Sequence, residues 1–112
     1  MKDVDAKITL VPEAGQMPGE FNGLLYFSHD DCGVCKILRP KVEMLLMEHF
    51  HKLTFAYVDV EHNPADAASY SVFTVPVILV FFEGKEFYRF SGGVSIGELE
   101  KQLQRPYNLK FT

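Results

Sequence analysis

The sequence predicts a single α/β domain built on a mixed central sheet flanked by helices, and three observations carry that prediction. Two continuously apolar runs, residues 24–27 and 77–82, have the composition of strands covered on both faces. Between the first of these and another apolar run at 53–60, Val34, Ile37, Leu38, Val42, Leu45, Leu46 and Phe50 recur at spacings of three and four, so a helix joins two strands. A short polar break centred on Gly84 separates the last two strand-like runs and marks a hairpin. A strand-helix-strand unit implies parallel strands and a hairpin antiparallel ones, so the sheet is mixed.

Taken in order, strands are predicted over residues 7–11, 24–28, 53–60, 75–82 and 86–91, the last carrying charges suited to a sheet edge. Residues 12–22, PEAGQMPGEFN, hold two prolines and two glycines, so a loop or one short turn is expected and the first helix is degenerate or missing. The helix over 33–51 contains Pro40, which removes a backbone hydrogen bond and predicts a kink. Asn63 before Pro64 has the form of an N-cap followed by proline at the first helical position, opening a short helix to about residue 70. Ser95 and Glu98 fit a capping box for a last helix that carries Leu99 and Leu103 inward and is predicted to stop before Pro106. The domain then has its core at about 22–104, with residues 105–112 as an extension that covers an apolar patch or engages a partner.

Size and charge narrow the function. A chain of 112 residues with 47% apolar content, ten Phe and five Tyr can bury one sizeable core. A net charge of −4 and scattered basic residues argue against nucleic acid, which is bound through clustered Lys and Arg. The opening residues alternate charged and apolar side chains, and no apolar run approaches the roughly 20 residues of a membrane helix. A cytoplasmic monomer without membrane association is the expectation.

Both cysteines fall in one stretch, HDDCGVCK, at residues 29–36. A C-x-x-C pair closes too small a loop to stabilise a fold much through chain entropy, so its value is chemical. Between a buried strand and a helix, Cys32 stands at a helix N-terminus, where unpaired amides and the macrodipole favour a thiolate. Cys35 lies on the same helical face, more shielded and within disulfide reach. That arrangement supports a two-step exchange in which Cys32 attacks a disulfide and Cys35 resolves the mixed intermediate. Two buried inert thiols and a zinc site are the competing readings. His29, His49, His51 and His62 do not make a finger-like spacing, so no metal is expected, and His49 and His51 read as solvated residues at a helix end.

From about residue 22 to 104 the chain resembles the thioredoxin family. The residues that carry the likeness are CGVCK at 32–36, Pro40, KLTFA at 52–56, DVEHNP at 59–64, Val75-Pro76-Val77, FEGK at 82–85 and Gly92. The resemblance implies the thioredoxin fold, a cis-proline at Pro76 packed beside the cysteines, and a Val75 backbone that pairs with a substrate strand. Gly33 and Val34 between the cysteines, with Gly92, complete the implied substrate groove. It further implies protein-disulfide reduction without a bound cofactor, with oxidised proteins as substrates and a flavin-dependent reductase as electron donor.

Departures from the family pattern point to tuning. Asp31, after Asp30, stands where an aromatic residue usually precedes the first cysteine, and its carboxylate is expected to raise the pKa of Cys32. The two acids also suit a preference for basic substrate surfaces, or simply a helix start. Val34 replaces the usual proline. Tyr26 and Tyr57 occupy the places of a buried Asp and a Lys thought to relay the proton of the second cysteine. A phenol is a poor base at neutral pH, so resolution is expected to be slow or to rely on water or His29, while Tyr26 itself reads as core with a bonded hydroxyl. The rival function is a protein-binding module of the same fold with little or no redox turnover.

Overall fold

The computed structural model describes residues 12–111. The elements in chain order are β1 (Gly23–Ser28), α1 (Gly33–His49), β2 (Thr54–Asp59), α2 (Pro64–Ser69), β3 (Val77–Phe82), β4 (Lys85–Ser91) and α3 (Ile96–Lys110). The strand predicted over 7–11 lies outside the described residues. The four strands make one mixed sheet in the order β2-β1-β3-β4. β1 runs parallel to β2 with Tyr26 opposite Tyr57, and antiparallel to β3 with Leu25 opposite Leu79. β3 and β4 form the antiparallel hairpin, with a bulge between Val80 and Phe81.

The strand period of two sorts side chains between two cores. Leu24, Tyr26, Ile78 and Val80 meet Cys35, Leu38, Val42 and Leu45 of α1 and Leu99 and Leu103 of α3. Leu25, Phe27, Val58, Leu79 and Phe81 point the other way, against Ala67 of α2 and Tyr70 and Val72 beyond it. β1 and β3 are buried along their whole length, as their unbroken apolar composition requires, whereas β4 is largely exposed at its edge. Burying a Leu or Phe side chain in such a core is worth about 2 kcal/mol, and that gain holds α1 in place although Pro40 sits inside it.

Residues 12–22 contain turns and no helix, as expected, yet they are firmly attached. Tyr70 Oη donates to the Pro12 carbonyl at 2.7 Å, Ala14 N–H donates to Ser69 Oγ at 3.1 Å, and Phe21 packs edge-on to Phe81. Gly84 donates its N–H to the Phe21 carbonyl at 2.9 Å from a φ of 76°, and a Cβ there would strike the Pro18 carbonyl. The hairpin glycine is therefore required twice, by its backbone angle and by the loop lying across it.

Three sequence-based boundaries and the side-chain cap of α2 are corrected. α3 does not stop before Pro106 but continues to Lys110, because its last turn is held from outside: Tyr107 packs on Phe50 at 5.0 Å and on Phe111 at 4.8 Å, and Lys110 Nζ pairs with Glu83 Oε2 at 3.0 Å. These contacts offset the hydrogen bond that Pro106 cannot make. The supposed extension is thus the end of a helix closing the core. β3 begins at Val77 and not at residue 75, since Pro76 has no N–H to give a ladder. α1 ends at His49, two residues early, where the chain turns under Phe50. Asn63 precedes α2 without capping it by side chain, and its Nδ2 donates instead to the Asp59 carbonyl at 3.0 Å. At α3 the Ser95 half of the capping box is present, Oγ accepting from Glu98 N–H at 3.1 Å, while Glu98 Oε2 accepts from Gln102.

Candidate active site

β1 delivers the chain to one end of the sheet, a turn at 29–31 reverses it, and α1 begins at Gly33. Cys32 is the N-cap, with extended backbone angles, and its Sγ accepts the N–H of Cys35 at 3.1 Å. An amide that would otherwise lack a partner in the first turn is thus aimed at the first sulfur, where it favours negative charge. The two cysteines are joined as a disulfide with their Cα atoms 5.2 Å apart. Their surroundings differ: Cys32 is partly exposed at the end of the helix, while Cys35 is 1% exposed within the core.

The turn before Cys32 is organised by His29. Its carbonyl accepts from Cys32 N–H at 3.2 Å and its Nδ1 accepts from Asp31 N–H at 3.2 Å. With Nδ1 engaged by a backbone N–H, Nε2 is the ring nitrogen left for a further partner. Asp30 and Asp31 are exposed, and neither falls within the helix they precede.

The residues expected to form a groove come together only in part. The Val75–Pro76 bond is cis, as the family likeness implies, and Gly92, at a φ of 75°, donates its N–H to the Pro76 carbonyl at 2.9 Å. Val75 packs on the same core cluster as Cys32. Gly33 is exposed, and Val34, 55% exposed, does not share a cavity with Val75. Val34 lines a groove of about 720 Å³ between α1 and α3, with Ile37, Met44, Gly93 and Val94. Val75 lines a separate cleft of about 410 Å³ with His29, Val60 and Phe73. Cys32 itself lines neither hollow.

Behind Cys35 lie the two tyrosines. Tyr26 is fully buried and donates its hydroxyl to the Cys35 carbonyl at 2.8 Å, which is the role of a bonded core side chain. Burial, reinforced by Tyr57, pushes its phenol well above the ordinary tyrosine range, so it stays a donor. Tyr57 stacks on it with centroids 6.1 Å apart, as their register opposite one another dictates. Arg39 lays its guanidinium over the Tyr57 ring at 4.2 Å and pairs with Glu43 at 3.4 Å. A cleft of about 260 Å³ opens there between His29, Asp30, Lys36, Arg39 and Tyr57, with Cys35 in its wall.

Two positions escaped the sequence reading, one lining the cleft and one structural. Arg39 follows Cys35 by four residues, a spacing that places both on one helical face, and this signal was available. Asp59 opens the DVEHNP stretch that carries part of the family likeness, with no role of its own attached to it. It is fully buried, its Oδ1 accepts from Glu61 N–H at 2.9 Å and His62 N–H at 3.2 Å, and its Oδ2 lies 3.1 Å from His62 Nδ1 without good hydrogen-bond alignment. It fixes the turn from β2 into α2. Among the described residues no three His, Cys, Asp or Glu side chains gather into a metal site.

Comparison with known proteins agrees with this geometry. The chain matches the thioredoxin family model over residues 19–105. It is 34% identical over 85 residues to the thioredoxin-like protein YdfQ of Bacillus subtilis, covering 76% of this chain and 75% of that one. It is 39% identical over 69 residues to the thioredoxin of Chlamydia trachomatis, covering 62% and 67%. Among solved structures it superposes on thioredoxin 1 of Thermosipho africanus with a TM-score of 0.72 at 29% identity, over 80% of this chain and 99% of that one. For the thioredoxin of Fasciola hepatica the TM-score is 0.68 at 36% identity, over 77% and 81%.

Proposed function

Since this chain belongs to the thioredoxin family, and with it to the thiol-disulfide oxidoreductases in the general sense, we propose that its particular task is to reduce protein disulfides through a Cys32/Cys35 dithiol-disulfide cycle. The observation that carries this reading is the contrast within one helical turn: a partly exposed Cys32 whose Sγ accepts the Cys35 N–H, bonded to a Cys35 that is 1% exposed. Only the first sulfur is open to an incoming disulfide. In the reduced form the Cys32 thiolate attacks that disulfide, a Cys32–substrate bond forms, and one substrate sulfur leaves. Cys35 then attacks Cys32 Sγ, the Cys32–substrate bond breaks, and the second substrate thiol departs as the internal disulfide closes. Two electrons pass from the dithiol to the substrate.

Val75 and Pro76, with Gly33, Val34 and Gly92, are the positions assigned to the substrate chain. The apolar groove lined by Val34 and the cleft lined by Val75 suit a substrate segment with apolar side chains near the cysteine under attack. Regeneration requires an external dithiol donor, for which a flavin-dependent reductase is the proposed class, and a cytoplasmic setting keeps such a donor reduced.

The purified protein supplied with dithiothreitol should accelerate reduction of a disulfide-bonded protein, and a Cys35→Ser variant should accumulate mixed disulfides through Cys32. No acceleration while Cys32 remains open to alkylation would leave only the binding-module function.

A further inference from the structure

A thiol as buried as Cys35 has to lose its proton before it can resolve a mixed disulfide, and the side chains around it supply no ready base. From β1, Tyr26 spends its hydroxyl proton on the Cys35 carbonyl, and burial keeps that phenol protonated. From β2, Tyr57 is a second phenol, lying under the Arg39 guanidinium. In the turn, His29 already uses Nδ1 as an acceptor, and Asp31 supplies the N–H it accepts. Asp30 and Lys36 also line the cleft, and both are exposed to solvent. β3 and α3 bring the apolar side chains of Ile78 and Leu99 to this cluster, and β4 brings the partly buried Tyr88.

Arg39 is the cation built into this place. It lies one helical turn beyond Cys35 on the same face and lines the same cleft. Its side chain is held by the Tyr57 ring at 4.2 Å, the Phe55 ring at 5.7 Å and Glu43 at 3.4 Å, and it is three-quarters buried. We infer that Arg39 is a positioning residue for the resolving step: its charge stabilises the Cys35 thiolate, and the thiol proton passes to water in the cleft and not to a side-chain base. The same guanidinium favours ionisation of Tyr26, whose oxygen touches the Cys35 carbonyl, while Glu43 opposes it, so both charges are felt at this spot. Resting on the reductase reading above, the step balances without a further reagent. Cys35–SH gives its proton to water, the thiolate forms the Cys32–Cys35 bond as the Cys32–substrate bond breaks, and the departing substrate thiolate is protonated from solvent.

The test reads the thiol directly, in reduced protein with ¹³C at the cysteine Cβ positions titrated by NMR without substrate. Arg39→Met is expected to raise the Cys35 pKa by about one unit, a size set by an opposite charge nearby that is partly screened and partly neutralised by Glu43. Glu43→Gln should move it the other way, and Arg39→Lys should stay near the wild type. At neutral pH, release of the substrate thiol from a preformed Cys32 mixed disulfide should slow by up to about tenfold in Arg39→Met, with formation of that mixed disulfide unchanged. An unmoved Cys35 titration in Arg39→Met overturns the inference, as does an Arg39→Lys variant shifted as far as Arg39→Met, or a Glu43→Gln shift of the same sign. A loss of packing alone would not invert its sign between Arg39→Met and Glu43→Gln. If the wild-type protein reduces no protein disulfide, the reductase reading fails, yet the titration still decides whether Arg39 acts on Cys35.

Discussion

The outer and inner ends of the site obey different physics although only two residues separate the cysteines. At the outer end, Cys32 owes its setting to the local chain: an extended N-cap, a free first-turn amide and a turn tied by His29. At the inner end, the setting of Cys35 is assembled from β1, β2 and the next turn of α1, through Tyr26, Tyr57 and Arg39. A helix start of this kind is portable, since any chain that ends a strand and begins a helix can offer it. The inner end is not portable, because it exists only where two parallel strands place two tyrosines side by side under a helix. In the proposed cycle, attack and resolution can therefore be altered separately.

The largest effect should come from the inner end. Tyr26→Phe keeps the ring but takes a donor from the Cys35 carbonyl, and is expected to lower stability by about 1 kcal/mol in urea denaturation. A variant as stable as the wild type would mean that this hydrogen bond contributes little to the inner setting. Alkali probes the same end more gradually. Burial holds Tyr26 and Tyr70 above the ordinary tyrosine value in the fold. Below about pH 10 both the folded and unfolded chains keep these protons and the stabilisation is complete. As pH rises past about 10 the unfolded chain releases them first, so stability should fall, and less steeply in Tyr26→Phe. Denaturation midpoints followed from neutral pH into alkali check the slope, and identical slopes for the two proteins would contradict it.

The outer end should respond least, being open to solvent. Asp31→Asn removes a carboxylate next to Cys32 and is expected to lower the Cys32 pKa by about half a unit, which speeds alkylation near neutral pH by up to about threefold. The Cys35 titration should not move. A matching shift at Cys35 would show that the two ends share one electrostatic environment and would dissolve the contrast between them.

Much of this was legible in the chain. The strand-helix-strand order, the hairpin at Gly84 and the two buried strands follow from periodicity and turn chemistry, and the structure retains them. CGVC placed between strand and helix marked the thiols, and an absent Asp and Lys marked Tyr26 and Tyr57 as departures. What misled was proline. Pro106 reads as a stop in any local scheme, yet the packing of Tyr107 on Phe50 and the pairing of Lys110 with Glu83 carry α3 past it. Those partners lie far away in sequence, so no window along the chain reveals them. Arg39 was missed for a related reason: an arginine on a helix is ordinarily solvated, and only the arrival of β2 turns it into a cation clamped over an aromatic ring.

The sequence by itself determined the alternation of elements, the mixed sheet and the presence of a first sulfur at a helix start, because each depends on side-chain period and on backbone groups a few residues apart. The tertiary structure alone decided how HDDCGVCK would behave as a site. It buried one thiol and left the other partly open, occupied the His29 nitrogen, stacked Tyr26 on Tyr57 and set Arg39 behind Cys35. Apart from the His29 contact, which lies within one turn, these outcomes depend on contacts between residues from separate strands and helices, and such contacts acquire their distances only when the sheet has formed.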